Sequence, residues 1–114
     1  MKNRPVILRE RARRDVDEAI AHYLTESGEK VALDFIAALE QAFAHIKRFP
    51  ASGSPRLGVE LSLPGLRSWK ASHYPHLTFY AEGTARIEVW RVLHESRDIP
   101  ASMQPLDFRK PEAG

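Results

Sequence analysis

The side chains that could do chemistry collect on predicted strands, or at their ends, in the second half of the chain. The run 87–100 begins as an apolar strand rich in β-branched residues and ends in a polar cluster of His94, Arg97 and Asp98 before Pro100. A buried strand that brings basic groups to its open end is a common way to build a site for an anionic or polar partner. The candidate residues are Arg67, Lys70, Tyr80, Arg91, His94 and Arg97.

Two interpretations fit these residue types. Imidazole titrates near neutrality, so His94 could serve as a general acid or base, and guanidinium forks match phosphate oxygens. With Arg67, Arg91 and Arg97 stabilising a pentavalent phosphate and Tyr80 orienting a ribose, the set would form a metal-independent ribonuclease site. The alternative is a binding surface without catalysis, because a lone histidine at a strand end is more often structural and no spacing rule is met here.

Arg91 conflicts with the period of its own strand. The two-residue alternation places Arg91 on the same face as Val89 and Leu93, whose apolar side chains should be buried. Either a β-bulge re-aims the guanidinium, or its stem packs at the sheet edge. An ion pair with a carboxylate such as Glu88 or Asp98 is the structural alternative to a binding role.

The elements that must position these residues follow from the apolar pattern. Alternation in residues 5–10 predicts a short first strand. Apolar residues then recur every three or four positions, which predicts one amphipathic helix to about Glu26 and a second one ended by Pro50. The short Ser27-Gly28 connection makes the two helices an antiparallel hairpin.

An irregular segment and three strands complete the predicted fold. Residues 50–65 are rich in Pro, Gly and Ser, and the alternation of apolar residues at 59, 61 and 63 predicts that part of the segment lies extended. Strand-like runs follow, with a tight turn between the second and third, so the three strands should be antiparallel neighbours. The prediction is an α+β domain of order β-α-α-β-β-β, with a helical hairpin packed on one face of a small, mainly antiparallel sheet. The predicted strands cover 66–72, 76–82 and 85–94.

Composition narrows the class of protein. The 114 residues predict a single domain over 1–104 with a frayed tail over 105–114. Cysteine is absent, which excludes disulfide frameworks, cysteine-ligated zinc and thiol nucleophiles, and fits a reducing cytoplasm. The sequence shows no metal-ligand spacing and no Gly-rich phosphate loop, so we expect neither a metal nor a cofactor. We also expect no signal peptide and no membrane association.

Charge is segregated along the chain. Residues 1–14 contain six cationic side chains and one acid, whereas residues 15–48 contain seven acids and three cationic side chains. A solvated surface of mixed charge is one interpretation. The other is a basic patch that binds an acidic peptide or a nucleic acid.

Six motifs, in this order and at matching intervals, resemble the ParE-type toxins of the RelE/ParE superfamily. The resemblance covers about residues 4–103 and implies a β-α-α-β-β-β fold and the toxin of a type II toxin–antitoxin (plasmid stabilisation) module. The motifs are Ala12-Arg13-Arg14-Asp15-Val16, Ala32-x-x-Phe35-Ile36-x-x-Leu39, Phe49-Pro50-x-x-Gly53-x-Pro55-Arg56, Pro64-Gly65-Leu66-Arg67, Leu77-x-Phe79-Tyr80, and Ile87-x-Val89-x-Arg91-Val92-Leu93-His94 with Arg97-Asp98-Ile99-Pro100.

The resemblance implies one of two cellular targets. ParE toxins are known as inhibitors of DNA gyrase, whereas RelE-type relatives cut messenger RNA on the ribosome. Here Arg97 is followed by Asp98-Ile99-Pro100 without an aromatic residue, and the sheet offers Lys70 but no lysine cluster. We therefore expect a non-enzymatic gyrase inhibitor. The alternatives are a ribosome-dependent endoribonuclease and a module that keeps the fold and antitoxin binding but has lost toxicity.

The resemblance also implies an obligate partner. We expect a heteromeric complex with a ParD-like antitoxin, whose acidic amphipathic segment would bind a groove rimmed by N-terminal arginines, and no sequence-specific DNA binding by the toxin alone. The expected antitoxin-binding residues are Arg9, Arg11, Arg13 and Arg14. The expected target-binding residues are Arg67, Lys70, Arg91, His94 and Arg97, and a nuclease would instead use His94, Arg91, Arg67 and Tyr80 as catalytic residues.

Overall fold

The computed structural model describes residues 4–103, so the predicted frayed tail over 105–114 lies outside the described residues. The four strands and the two long helices follow in the predicted order. Two short helices are added, one before the last three strands and one after them. The elements are β1 Val6–Leu8, α1 Glu10–Ser27, α2 Glu29–Arg48, a 3₁₀ turn Pro50–Ser52, α3 Arg56–Glu60, β2 Leu66–Lys70, β3 His76–Glu82, β4 Ile87–His94 and α4 Ile99–Ser102.

The four strands form one sheet in the order β1-β4-β3-β2. β2 pairs with β3 and β3 pairs with β4, both antiparallel, while β1 runs parallel to β4 with Val6 opposite Ile87. This confirms the predicted α+β class and the mainly antiparallel sheet. β1 ends at Leu8, opposite Val89, so the second half of β4 has no strand on that side within residues 4–103.

The helical hairpin covers one face of the sheet. Gly28 turns the chain between the helices at φ +94°, a left-handed conformation that favours glycine, and its N–H donates to the Tyr23 carbonyl. The apolar stripe of α2 packs on the strands and forms what we call the helix-side core. Its buried members are Ala12, Phe35, Leu39, Ile46, Tyr80, Ile87, Val89 and Val92.

A second set of apolar residues, the far-side core, covers the opposite face. Its buried members are Leu66, Phe79, Leu93, Ile99 and Met103.

The prediction of an extended segment around residues 59–63 was wrong. α3 occupies Arg56–Glu60, and Ser62 then adopts φ +57°, so the apolar alternation reflects a single helical turn followed by a left-handed residue. Leu61 packs against the far-side core, whereas Val59 is 76% exposed.

No helix within residues 4–103 is both long and apolar enough to cross a membrane.

A β-bulge interrupts the alternation of β4. Tyr80 lies opposite Val89 and Phe79 lies opposite Arg91, which leaves Trp90 as the extra residue. Because of this insertion, Val89 and Val92 both pack in the helix-side core. A β-bulge was one of the two explanations predicted for the position of Arg91 in its strand.

Candidate functional site

The predicted site residues fall at two separate ends of the sheet. Arg67 lies opposite Tyr80 at what we call the tyrosine end, whereas Lys70 and the facing pair His76 and His94 lie at the histidine end. Tyr80 lies four positions after His76 on β3, a distance of about 13 Å along an extended strand. The fold therefore does not bring the four residues of the nuclease hypothesis together.

At the tyrosine end, the polar side chains are used by the chain itself. The buried Tyr80 hydroxyl donates to the Pro50 carbonyl at 2.6 Å and accepts the Gly53 N–H at 3.0 Å. Arg67 Nη1 donates to the Gly53 carbonyl at 2.8 Å. Burial raises the pKa of Tyr80. Tyr80 and Arg67 thus hold the segment that follows α2, and in this structure the tyrosine hydroxyl is not available to a ribose.

Gly53 is required at this place by close approach. A Cβ there would stand 2.3 Å from Tyr80 Oη and 2.9 Å from the Ser68 carbonyl oxygen. Ser54 and Ser68 also exchange backbone hydrogen bonds at 2.9 and 3.0 Å, which protects the outer edge of β2.

Arg91 is fully buried, at 0% exposure, and pairs with Asp15 of α1. Its Nε and Nη2 donate to the two Asp15 carboxylate oxygens at 2.7 and 3.0 Å, and its Nη1 donates to the Ser102 carbonyl. The expectation that Arg91 forms part of a target-binding surface needs correction, because burial places its guanidinium out of reach of a target in this conformation. The predicted ion pair is present, but not with either predicted partner: Glu88 pairs with Arg9 and Arg86, and Asp98 caps α4.

Asp15 was missed by the sequence analysis. Besides Arg91, it accepts the backbone N–H of Val92 at 3.0 Å, an amide on the edge of β4 beyond the end of β1. A signal was present, because Asp15 lies three positions after Ala12 and four before Ala19 and so falls on the buried stripe of α1.

At the histidine end, a polar cleft of about 250 Å³ opens between α1 and the sheet. His94 Nδ1 accepts the Ser96 N–H at 3.0 Å, so the neutral ring carries its proton on Nε2. Lys70 is exposed and meets Glu95 at 3.5 Å. The cleft is lined by Asp15, Glu18, Ala19, His22, Tyr23, His76, Val92, His94 and Arg97, so Arg97 is the one arginine among the predicted target-binding residues that reaches it.

His76 is a further residue at this end that sequence analysis did not single out. Its side chain is 6% exposed, and its Nδ1 is buried without a hydrogen-bond partner within residues 4–103. Burial, and then the neighbouring His94 and His22, lower the pKa of His76 from 6.5 to about 4. The ring is therefore neutral at pH 7. No group of three or more histidine, cysteine or carboxylate side chains is arranged to hold a metal ion in the described part of the chain.

The four N-terminal arginines do not form one uniform surface. Arg9 is partly buried, pairs with Glu88 at 2.7 Å and lies over the Trp90 ring at 4.4 Å. Burial would raise the pKa of Glu88, but hydrogen bonds from Arg9 and Arg86 outweigh this effect and the pKa is lowered. Arg9 is thus bound into the fold. Arg11, Arg13 and Arg14 are exposed on the first turns of α1.

The antiparallel hairpin adds to this basic end. Because α2 runs back along α1, its last residues, Lys47 and Arg48, lie at the same end of the hairpin as the α1 arginines. The connection at the other end follows Glu26 and precedes Glu29. The hairpin therefore has a basic open end, whereas its closed end carries charges of both signs, Glu26, Glu29 and Lys30.

Comparison with known proteins gives a matching family and solved structures with a similar fold. A family model described as the ParE toxin of the type II toxin–antitoxin system parDE matches residues 6–99. No curated protein matches the chain. A solved structure titled "Chromosomal ParDE TA system from P. aeruginosa" is similar with a TM-score of 0.69 and 17% sequence identity, and the match covers 81% of this chain and 96% of that chain. At this identity, the structural match supports the fold.

Proposed function

This chain belongs to the ParE toxin family of type II toxin–antitoxin systems, and we propose that it binds and inhibits DNA gyrase and is neutralised by a ParD-like antitoxin. Inhibition by binding is what the resemblance to ParE toxins implies. The alternative function is cleavage of messenger RNA on the ribosome, as by RelE-type relatives.

The observation that supports binding over catalysis is the dispersal of the nuclease residues. A general acid or base must reach the reacting group within hydrogen-bond distance, and phosphate-stabilising donors must surround the same point. Here Tyr80 is bonded to Pro50 and Gly53, Arg91 is buried against Asp15, and His94 lies at the opposite end of the sheet from Arg67. Such an arrangement lacks a common centre at which a phosphate could react.

The histidine end is the best candidate for the target surface. Lys70 and Arg97 are exposed there, His94 is partly exposed, and all three were expected to bind the target. We propose that these three contact gyrase, whereas Arg67 and Arg91 hold the protein's own backbone and carboxylate groups.

A supercoiling assay with purified gyrase tests this proposal. The wild-type protein should inhibit supercoiling, and Lys70→Ala with Arg97→Ala should weaken inhibition by roughly 10-fold or more if these are central contacts. Arg56→Ala is the matched control, since Arg56 is an exposed cation on α3 that pairs with Glu60 and lies outside the cleft.

The nuclease reading is tested on programmed ribosomes. The wild type should leave the message intact. Codon-specific cleavage that falls roughly 100-fold in His94→Ala, with the fold preserved, would contradict the gyrase proposal and establish the nuclease.

For the antitoxin, we propose the basic open end of the hairpin as part of the binding surface. The support is charge complementarity: exposed Arg11, Arg13 and Arg14, with Lys47 and Arg48 nearby, suit an acidic segment that folds on binding. Reversing the three α1 arginines to glutamate should weaken binding of the cognate antitoxin and reduce its salt dependence. Lys30→Glu, at the closed end, is the control. Unchanged affinity and unchanged salt dependence would exclude this surface.

A further inference from the structure

We infer that Asp15 is a positioning residue for the target-binding end of the toxin: without touching the target, it fixes the C-terminal segment that carries Arg97. The inference deepens the proposed function and rests on it for its activity readout. It is carried by the contacts that one buried carboxylate makes to β4 and, through Arg91, to α4.

Asp15 replaces a missing strand. β1 leaves the edge of β4 after Leu8, and a buried amide such as that of Val92 then needs another acceptor. Asp15 Oδ2 accepts this N–H at 3.0 Å, so α1 is fixed to β4 by a side chain where the sheet itself has ended.

Arg91 extends the connection to α4. Its guanidinium is fully buried and bonds both Asp15 carboxylate oxygens on one side and the Ser102 carbonyl on the other. A planar fork can satisfy three acceptors in fixed directions, which a lysine ammonium on a flexible stem does not reproduce. One ion pair therefore joins α1, β4 and α4.

The segment between β4 and α4 is short and held at both ends. Only residues 95–98 separate His94 from Ile99, and the Arg97 N–H donates to the His94 carbonyl at 2.9 Å. α4 is a four-residue helix that is also anchored by the burial of Ile99 and Met103 and by the Asp98 cap. Loss of the Ser102 contact would release the C-terminal side of this segment and with it the orientation of Arg97.

Asp15→Asn tests the inference with a small change of shape. Asparagine keeps one acceptor for the Val92 amide but removes the charge that holds Arg91. Asp17→Asn is the matched control, because Asp17 makes the same change of charge on the same helix but is exposed. The reporters are the amides of Ser102 and Met103, which donate to Asp98 and Ile99, and the amide of the buried Leu39 inside α2 is the reference.

We expect roughly 10-fold or faster hydrogen exchange at the α4 amides of Asp15→Asn, with little change at Leu39, because a local opening exposes only that unit. Inhibition of gyrase should weaken about 10-fold while antitoxin affinity stays within about 2-fold, since the hairpin's basic end is not part of this segment. Asp17→Asn should behave as the wild type in all three measurements.

Other outcomes are equally decisive. If the α4 amides of Asp15→Asn exchange as in the wild type and inhibition is unchanged, the inference is wrong. Uniformly faster exchange, including Leu39, would make Asp15 a general stability residue and also overturn the inference. If the wild type fails to inhibit gyrase but exchange rises only in α4, the positioning role stands and the proposed target fails. Should Asp15→Asn not fold, Arg91→Lys is measured in its place, with the same expected results.

Discussion

The two ends of the sheet carry similar polar side chains and use them differently. At the tyrosine end, the Tyr80 hydroxyl and Arg67 Nη1 bond backbone groups of residues 50–53, so both are used within the chain. At the histidine end, His76 has a buried nitrogen without a hydrogen-bond partner within residues 4–103, and Lys70 and Arg97 face solvent. The comparison teaches that a polar residue at a strand end identifies a site only when the chain itself does not already use its hydrogen bonds.

The largest effect on stability should come from adding a Cβ at Gly53, at the tyrosine end. Gly53→Ala should lower the free energy of unfolding by about 4 kcal/mol, because the new Cβ overlaps Tyr80 Oη and breaks the hydrogen bonds made there. Urea denaturation measures the change. Gly83→Ala is the control, since its Cβ would meet only the Arg86 carbonyl oxygen, at 3.0 Å. A loss below about 1 kcal/mol in Gly53→Ala would show that residues 50–53 move freely and that the tyrosine end is not rigid.

Acid should act on the histidine end. The pKa of His76 is about 4 in the folded protein and 6.5 ordinarily, so the unfolded chain binds the proton first as the pH falls. The contribution of His76 to the free energy of unfolding is fully present above pH 6.5 and declines between pH 6.5 and 4. The total loss from this group should be about 3 kcal/mol.

Urea unfolding of the wild type and His76→Gln at several pH values isolates this contribution, because other groups, including Glu88, titrate in both proteins. His73→Gln is the control, an exposed histidine close by in the chain. Equal pH dependence in the wild type and His76→Gln would remove the contrast between a saturated tyrosine end and an unsaturated histidine end.

The smallest effect on folding should come from an exposed residue of the histidine end. Lys70 meets Glu95 at 3.5 Å with both side chains about half exposed, so Lys70→Ala should change the free energy of unfolding by about 0.5 kcal/mol or less. Denaturation in low and high salt measures this. A change above about 2 kcal/mol would mean that Lys70, like Arg67, is part of the structure rather than available to a partner.

Much of the fold was predictable because helices and strands leave a local pattern. The two long helices and β3 over 76–82 followed from apolar periodicity, and the hairpin and the antiparallel strands followed from the short connections between elements. α3 was missed because a single helical turn ending in the left-handed Ser62 produces the same alternation as a strand. α4 was missed because four residues, with Pro100 among them, are too few to show a helical period.

The candidate site was less predictable because it depends on contacts between distant residues. The partner of Arg91 is 76 positions away, and neither Glu88 nor Asp98, its sequence neighbours, could reveal it. The position of Asp15 on the buried stripe of α1 was a usable signal. The burial of His76 follows from its pairing opposite His94, which the neighbouring sequence does not indicate. The bulge at Trp90 shifted the register on which the assignment of faces in β4 depended.

The parallel pairing of β1 with β4 has a consequence for synthesis. Val6 meets Ile87, so the first strand leaves the ribosome well before its partner exists. At about 5–20 residues per second, this interval lasts on the order of 4–16 s, during which the helical hairpin can form but has no sheet to cover its apolar face. A nascent chain that stops before β4 therefore lacks both the pairing partner of β1 and the partner of Asp15 in the buried ion pair. Folding of the domain is thus coupled to the synthesis of its last strand.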